Sequence, residues 1–243
     1  MMDDKNNQEL ILIEGCKKLG IELTSEQCGQ FLLYYDFLVE KNKVMNLTGI
    51  TDYEEVVLKH FVDSLSIIKA VDVHKFTNVI DVGTGAGFPG VPLKIVYPHL
   101  NVVLLDSLNK RIKFLNELVD KLGLKGITAV HGRAEDAARK KEYREQFDLC
   151  VSRAVANLSS LLEYCLPFVK KDGLFISYKS TNIDTEITDA KKALFLLGGK
   201  MEDKKTFYLP DSDIGRTLLV INKEKTTPSK YPRKAGLPSK EPL

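Results

Sequence analysis

The chain has 243 residues, 44% of them hydrophobic and 28% charged, with a formal net charge of only +2. This suits an ordinary globular protein large enough for one full α/β domain and a smaller appendage. No apolar run approaches the ~18 residues that a membrane span needs, and four cysteines without a C-x-x-C or any metal-type spacing to the four histidines argue against a zinc site.

The charge is unevenly spread. Residues 1–75 hold 8 Lys/Arg against 13 Asp/Glu (−5), residues 76–222 hold 21 against 18 (+3), and residues 223–243 hold 6 against 2 (+4). A basic end of this kind points to a phosphate-bearing partner; the competing reading is a solvated, partly disordered terminus. The opening MMDDKNNQEL is acidic and polar, neither a secretory signal nor a transit peptide, so a cytoplasmic protein is expected. Cys150 and Cys165 sit among apolar residues and read as core.

Taken in order, residues 1–72 read as a helical cap. Ser25 is the expected N-cap before Phe31, Leu32, Tyr35, Phe37 and Leu38 at helical spacing. A second helix is expected from about Asp52 to Ala70, with the turn Asn46-Leu47-Thr48-Gly49 between them. From residue 77 strands and helices alternate, the signature of a parallel sheet. Strands are predicted near 77–82, 101–105, 127–131, 147–151 and 173–178, and helices near 88–97, 110–122, 135–145, 157–169 and 184–197. Two closing strands near 204–209 and 216–222, joined by Pro210-Asp211-Ser212-Asp213, must be antiparallel neighbours. Residues 73–223 thus form an α/β, Rossmann-like sheet with an antiparallel last strand, the architecture typical of class I S-adenosylmethionine-dependent methyltransferases, an inference by fold analogy.

The most informative stretch is Val79-Ile80-Asp81-Val82-Gly83-Thr84-Gly85-Ala86-Gly87-Phe88-Pro89-Gly90. An apolar strand ends at an acid, and a glycine loop leads into a helix, which lets the backbone approach a nucleotide-type ligand closely. Asp106 ends the next strand, placed for a pair of ribose hydroxyls. A dinucleotide fits this loop poorly. Gly85-Ala86-Gly87-Phe88-Pro89-Gly90 is a literal G-x-G-x-x-G but starts too far past the strand; counted from Gly83, Phe88 stands where the third glycine belongs. An aspartate at the strand end suits the ammonium and sulfonium of a methyl donor better than a pyrophosphate. A purely structural glycine turn is the third reading.

These residues, with Asn46-Leu47-Thr48, His60, Asp63-Ser64-Leu65, Leu105-Asp106-Ser107, Lys110-Arg111, Gly132-Arg133-Ala134-Glu135, Ser152-Arg153-Ala154, Tyr178-Lys179 and the closing Arg233-Lys234-Ala235-Gly236-Leu237-Pro238-Ser239-Lys240-Glu241-Pro242-Leu243, carry a resemblance. From about residue 30 onward the chain resembles the bacterial small-subunit ribosomal RNA guanine-N7 methyltransferase family, also known as glucose-inhibited division protein B. The resemblance implies an S-adenosyl-L-methionine cofactor, with Gly83 and Phe88 at its methionine end and Gly85 and Gly87 keeping side chains out of its way. It further implies Asp106, Ser107 and Leu108 at the ribose, Ala134 and Glu135 at the adenine, and Arg153 at the mouth where donor and acceptor meet.

At that mouth the sequence reads Ser152-Arg153-Ala154-Val155, where exocyclic-amino methyltransferases carry an Asn/Asp-Pro-Pro-aromatic tetrad. No catalytic residue or general base is expected, because guanine N7 already presents a free lone pair. Lys110, Arg111, Arg133, Lys179, Arg233, Lys234 and Lys240 are the expected contacts to ribosomal RNA or a ribosomal subunit, and His60 is expected in a core or capping role. No metal and no membrane are expected as partners, and the protein is expected to be a monomer. Prolines at 228, 232, 238 and 242 exclude a helix or central strand from residues 224–243, the basic Pro-rich tail. That tail is expected to lie along RNA phosphates with Tyr231 available to stack, its removal leaving the fold intact; the competing reading is that it packs on the fold and supports stability. Methylation of another substrate class, and an RNA-binding regulator that holds the cofactor without turnover, are the competing functions.

Overall fold

Seven extended runs pair into one sheet. The computed structural model describes residues 2–153 and 156–243, residues 2–5 by backbone alone. The strands are β1 (Asn78–Val82), β2 (Asn101–Asp106), β3 (Ile127–His131), β4 (Phe147–Arg153), β5 (Val169–Lys179), β6 (Gly199–Tyr208) and β7 (Gly215–Lys223), in the order β3-β2-β1-β4-β5-β7-β6. The first five are parallel, and β7 runs antiparallel between β5 and β6. The short Pro210–Asp213 joint leaves the last pair no other geometry. This is the Rossmann-like sheet of class I methyltransferases, with its antiparallel strand inserted second from the edge.

Alternate side chains feed two cores. Val79, Val102, Leu104, Leu149, Val151, Ile176, Leu218 and Val220 face one layer; Ile80, Val82, Leu105, Cys150, Phe175, Leu219 and Ile221 face the other. Strands buried on both faces read as continuous apolar runs for this reason. The helices before residue 73 lean on the first layer and share its core: Phe31, Tyr34, Phe61 and Leu65 pack with Val91 and Leu115. Cys16, Cys28, Cys150 and Cys165 are all buried free thiols.

Local boundaries move where a tertiary bond outranks propensity. Helix Ser25–Met45 is capped one residue earlier than expected, by Thr24. The Thr24 hydroxyl accepts from the Gln27 amide at 3.2 Å while Gln27 Oε1 accepts from the Thr24 amide at 2.9 Å, a reciprocal pair that Ser25 cannot form. The helical run over residues 53–69 is one continuous rod, but Val57–Val62 is wound as a π-helix and Ser66–Lys69 as a 3-10 helix. The helix expected at 135–145 is only the turn Ala134–Ala137. Beyond it isolated turns replace a continuous helix: Lys140 and Tyr143 bond the Ala137 and Lys140 carbonyls, while Glu145 and Gln146 bond the distant Pro167 and Phe168 carbonyls and Arg144 reaches those of Thr227 and Tyr231. The helix expected at 184–197 breaks into Asp184–Asp189 and Lys191–Leu197.

The tail departs most from expectation. It packs on the domain: Tyr231 is only 6% exposed, which corrects its expected role as a free stacking ring. One helical turn, Leu237–Lys240, does form there, since Pro238 sits in its first turn where no amide donor is needed.

The loop between β1 and helix Gly90–Val96 is built around Asp81, which is fully buried. Its Oδ2 accepts from the Thr84 hydroxyl at 2.7 Å and from the Gly90 amide at 2.8 Å. These bonds hold the loop from beneath through Oδ2, while Oδ1 is buried without a hydrogen-bond partner. Burial pushes its carboxyl up to about 7. Gly90 is obligatory here, because a Cβ would lie 2.4 Å from Leu104 Cδ2 and 2.9 Å from Asp81 Oδ2. Gly90→Ala is therefore expected to destabilise the fold by about 1–3 kcal/mol, the usual cost of overpacking, seen as a lower urea midpoint at unchanged slope.

Candidate active site

Two cavities open at the carboxyl ends of the parallel strands, where ligands of open α/β sheets bind, and Gly83 lines both. The first, about 550 Å³, is lined by Asp106, Ser107, Leu108, Arg133, Ala134 and Glu135, among others. The second, about 700 Å³, is lined by Thr48, Lys59, His60, Gly85, Phe88 and Arg153, among others. The sequence-predicted cofactor residues therefore divide between two chambers that meet at the glycine loop.

In the first chamber Asp106 is 3% exposed. Its Oδ2 accepts from the Gly85 amide at 3.0 Å and from Arg111 Nη1 at 3.1 Å, and its Oδ1 accepts from the Leu108 amide at 2.9 Å. The two amides fix the carboxylate, while Arg111, about a third exposed, is its side-chain partner. Two carboxylate oxygens offer about four lone pairs, so displacing Arg111 frees positions for a pair of hydroxyls. Leu108, 43% exposed, offers an apolar face beside them. Gly85 adopts φ +63 with nothing within 4 Å of where a Cβ would stand, so any side chain would project into open space beside the carboxylate. These features fit a nucleoside-type ligand.

Gly87 does something else. A Cβ there would lie 2.7 Å from Val91 and 2.8 Å from the Tyr34 hydroxyl, so its missing side chain admits core packing, and it is not among the described residues lining either chamber. This corrects its expected role of clearing space for the cofactor. Tyr34 seals the loop by donating to the Ala86 carbonyl at 2.6 Å and stacking on Phe88 with centroids 5.2 Å apart.

The second chamber is organised by Asp63, 2% exposed. Its Oδ2 accepts from Arg153 Nη1 at 2.8 Å and its Oδ1 from Arg216 Nε at 2.9 Å. Arg153 also donates to the Lys59 carbonyl at 2.8 Å and lies over the Phe88 ring, 5.2 Å from its centroid. The π-helical turn presents His60 to this cluster. His60 Nδ1 lies 3.1 Å from the Lys59 carbonyl and 3.2 Å from Arg153 Nη2, and Nε2 lies 2.8 Å from Thr48 Oγ1. The neutral ring stacks on Phe88 at 4.6 Å. Burial, reinforced by the neighbouring Arg153 charge, pushes the His60 imidazole down to about 4.

Of the expected RNA contacts, Arg111 lines both chambers, Arg133 the first and Lys179 the second. Lys179 is tied to Glu186 at 2.5 Å and to the Ala156 carbonyl, and Lys110 to the Met45 carbonyl at 3.0 Å. Lys234 and Lys240 are exposed on the tail. Arg233 is not available to a phosphate, since it is bound to the buried Glu163 at 2.7 Å; this corrects its assignment. Ala154 and Val155 lie outside the described residues. Asp63, Arg216 and Tyr164 escaped the role assignment: Asp63 had a signal only as part of a motif without a role, and Arg216 had none, because β7 brings it across from a distant part of the chain.

The His60 shift has a pH signature. An imidazole held below its unfolded value of 6.5 binds its proton more readily in the unfolded chain, so it subtracts stability as pH falls from about 6.5 toward 4. The stability difference between wild type and His60→Gln should therefore narrow or reverse across that window; parallel pH–stability curves from denaturant titration would refute it.

Among the described residues, no helix is long and apolar enough to cross a membrane, and no group of three or more His, Cys, Asp or Glu could hold a metal ion. Solved structures share the fold: the YcgJ protein from Bacillus subtilis superposes with a TM-score of 0.52 at 14% identity, over 68% of this chain and 100% of that one. A ribosomal protein L11 methylase from Lactobacillus delbrueckii does so with a TM-score of 0.50 at 17% identity, over 69% and 79%. In sequence, the family model for rRNA small subunit methyltransferase G (GidB) matches residues 27–214. Ribosomal RNA small subunit methyltransferase G of Lachnoclostridium phytofermentans is 58% identical over 95% of this chain and 96% of its own. The protein of the same name from Acetivibrio thermocellus is 54% identical over the full length of both. A likeness this deep, spanning both chambers and the tail, makes the chain a member of the rRNA small subunit methyltransferase G family, enzymes that draw their methyl group from S-adenosylmethionine.

Proposed function

We propose that this protein transfers a methyl group from S-adenosylmethionine to N7 of a guanine in small-subunit (16S) ribosomal RNA, acting as a cytoplasmic monomer. The observation that carries the reading is the pair of chambers meeting at Gly83, one with a hydroxyl-accepting carboxylate and the other walled by cations and aromatic rings. Asp106, Ser107 and Leu108 hold the adenosyl end in the first chamber, with Ala134 and Glu135 beyond them. Gly83, Gly85 and Phe88 face the methionine end. Bound there, the cofactor supplies an electrophilic methyl group on a positively charged sulfur.

The second chamber then takes the acceptor. Its volume is in the range that encloses a small ring system. The N7 edge of a paired guanine lies in the deep, narrow groove of A-form RNA, so the base must come from a loop or be turned out of its stack. Lys59, Arg153, Lys179 and Arg216 supply cations around such a base and its phosphates, with Lys110, Arg111, Arg133, Lys234 and Lys240 toward the flanking strand. Arg153 is positioned by Asp63 and the Lys59 carbonyl, so its guanidinium stays beside the Phe88 face and clear of the reacting lone pair.

No proton has to be removed before N7 attacks. Catalysis then rests on alignment and exclusion of water, effects that contribute roughly 7–11 kcal/mol in well-oriented reactions.

Mass mapping of ribosomal RNA from cells with and without the protein tests the acceptor: loss of one methylguanine in small-subunit RNA is expected, and unchanged RNA overturns the reading. In calorimetry S-adenosylmethionine should bind and NADH should not. Asp106→Ala should weaken binding by about 1.5–3 kcal/mol, the scale of hydrogen bonds to a charged group; an unchanged affinity would remove Asp106 from the site. Single-turnover rates with saturating substrates should be nearly flat from about pH 6 to about 9. A bell-shaped profile abolished by replacing one chamber side chain would reveal a general base.

A further inference from the structure

The tail is fastened to the domain at the first chamber. Glu163 is 0% exposed, and Arg233 donates to it four times: its amide at 2.6 Å and Nε at 3.0 Å to Oε1, and Nε at 3.1 Å and Nη2 at 2.7 Å to Oε2. A buried carboxylate needs such a partner, because unpaired it is strongly destabilising. Three residues on, the Gly236 amide donates to Glu135 Oε1 at 2.8 Å, and the Pro238 carbonyl accepts from the Ser160 hydroxyl at 2.7 Å. Gly236 adopts φ +85, a conformation that side chains rarely take and that carries the chain into the closing helical turn. The result is that Gly236 and Ser239 line the 550 Å³ chamber, in company with Glu135 and Tyr164.

We propose that residues 233–240 are a wall of the chamber that takes the adenosyl end of the methyl donor, latched by the Arg233–Glu163 and Gly236–Glu135 bonds, so that donor affinity depends on the tail. The proposal rests on the cofactor reading above. The chemistry of the chamber supports a nucleoside at this wall: Asp106 accepts hydroxyls, Leu108 and Ala134 offer apolar surface, and the tail closes the same space with small residues that leave room for a flat ring. The methionine end is not involved, since Gly85 and Phe88 line the other chamber. Glu135 joins the two parts: the adenine-side carboxylate inferred from sequence accepts a tail amide, so it fixes the wall as well as lining the pocket. A preformed wall raises affinity by sparing the ligand the cost of ordering the segment.

The test uses the full-length protein, Ser239→Leu, and a chain truncated after Lys230. Ser239 is exposed, so leucine there intrudes on the chamber without disturbing the core. Calorimetry with S-adenosylmethionine and with adenosine is paired with ligand-free melting and with RNA binding at several salt concentrations. Ser239→Leu should melt like wild type yet lose at least about tenfold in affinity for S-adenosylmethionine, with the same factor for adenosine. The truncated chain should lose donor binding. If Ser239→Leu keeps both affinities within about twofold, the wall is refuted, whatever the truncation does to folding. It is equally refuted if the truncated chain binds the donor as wild type does and only the salt slope of RNA binding becomes shallower, the behaviour of a phosphate-binding arm. Absence of S-adenosylmethionine binding in the wild type would overturn the cofactor reading and this proposal together, whereas wild-type binding with unaffected variants overturns only the wall.

Discussion

Everything at the carboxyl edge of this sheet depends on one buried carboxyl group. Asp81 is the penultimate residue of β1, which has β2 on one side and β4 on the other, and its Oδ2 takes the Thr84 hydroxyl and the first amide of the helix that follows. The loop between those two bonds is therefore pulled tight over the strand end. Gly85 can then turn its amide toward Asp106, and Phe88 is pressed under Tyr34 and His60. Burial favours the neutral form of Asp81; the hydrogen bonds it accepts favour the charged one. The group sits between these demands because the loop geometry requires an acceptor where no solvent reaches.

The two chambers have opposite electrostatic designs, and this follows from which elements border them. The first lies over β1 to β3 and ends in the short acidic turn Ala134–Ala137, so Asp106 and Glu135 set its polar character. The second lies over β4, β5 and β7 and faces the helical run 53–69, so Arg153 and Arg216 converge on Asp63, Lys179 pairs with Glu186, and Lys59, paired with Glu55, adds a further cation to the lining. In the function proposed above, the adenosyl end of the donor and the RNA are received on different sides of Gly83. Arg111 borders both, bonded to Asp106 by one nitrogen while its Nε is buried without a partner.

The tail shows how a compositional signal can be real and still mislead. Its excess charge and its prolines are plain in the sequence, and they suggest an extended arm. What they conceal is that Glu163, an acid within a helix otherwise rich in leucine, needs a cation, and Arg233 is brought to it from seventy residues away. Arg139 and Arg144 hold the same segment by its carbonyls. The partners that fasten the tail lie about 70 to 93 residues away along the chain, beyond what periodicity exposes.

By itself the sequence determined the layers of the fold. Apolar runs of strand length with helical segments between them admit only a parallel sheet covered on both faces, and a four-residue joint admits only an antiparallel closing pair. It also marked the strand-end Asp106 and the loop glycines at 83 and 85 as neighbours, which the Gly85 amide bond to the Asp106 carboxylate bears out. Tertiary structure alone decided the division of labour within that region: that Asp81 holds the loop and Gly87 admits core packing, that His60 sits between Thr48 and Arg153, and that Asp63 ties β4 to β7 through two arginines. The physical reason is range. Periodicity and turn chemistry act over a few residues and are legible one segment at a time. A buried charge, by contrast, takes its partner from whichever element the fold lays against it, and that partner's identity is fixed by three-dimensional contact.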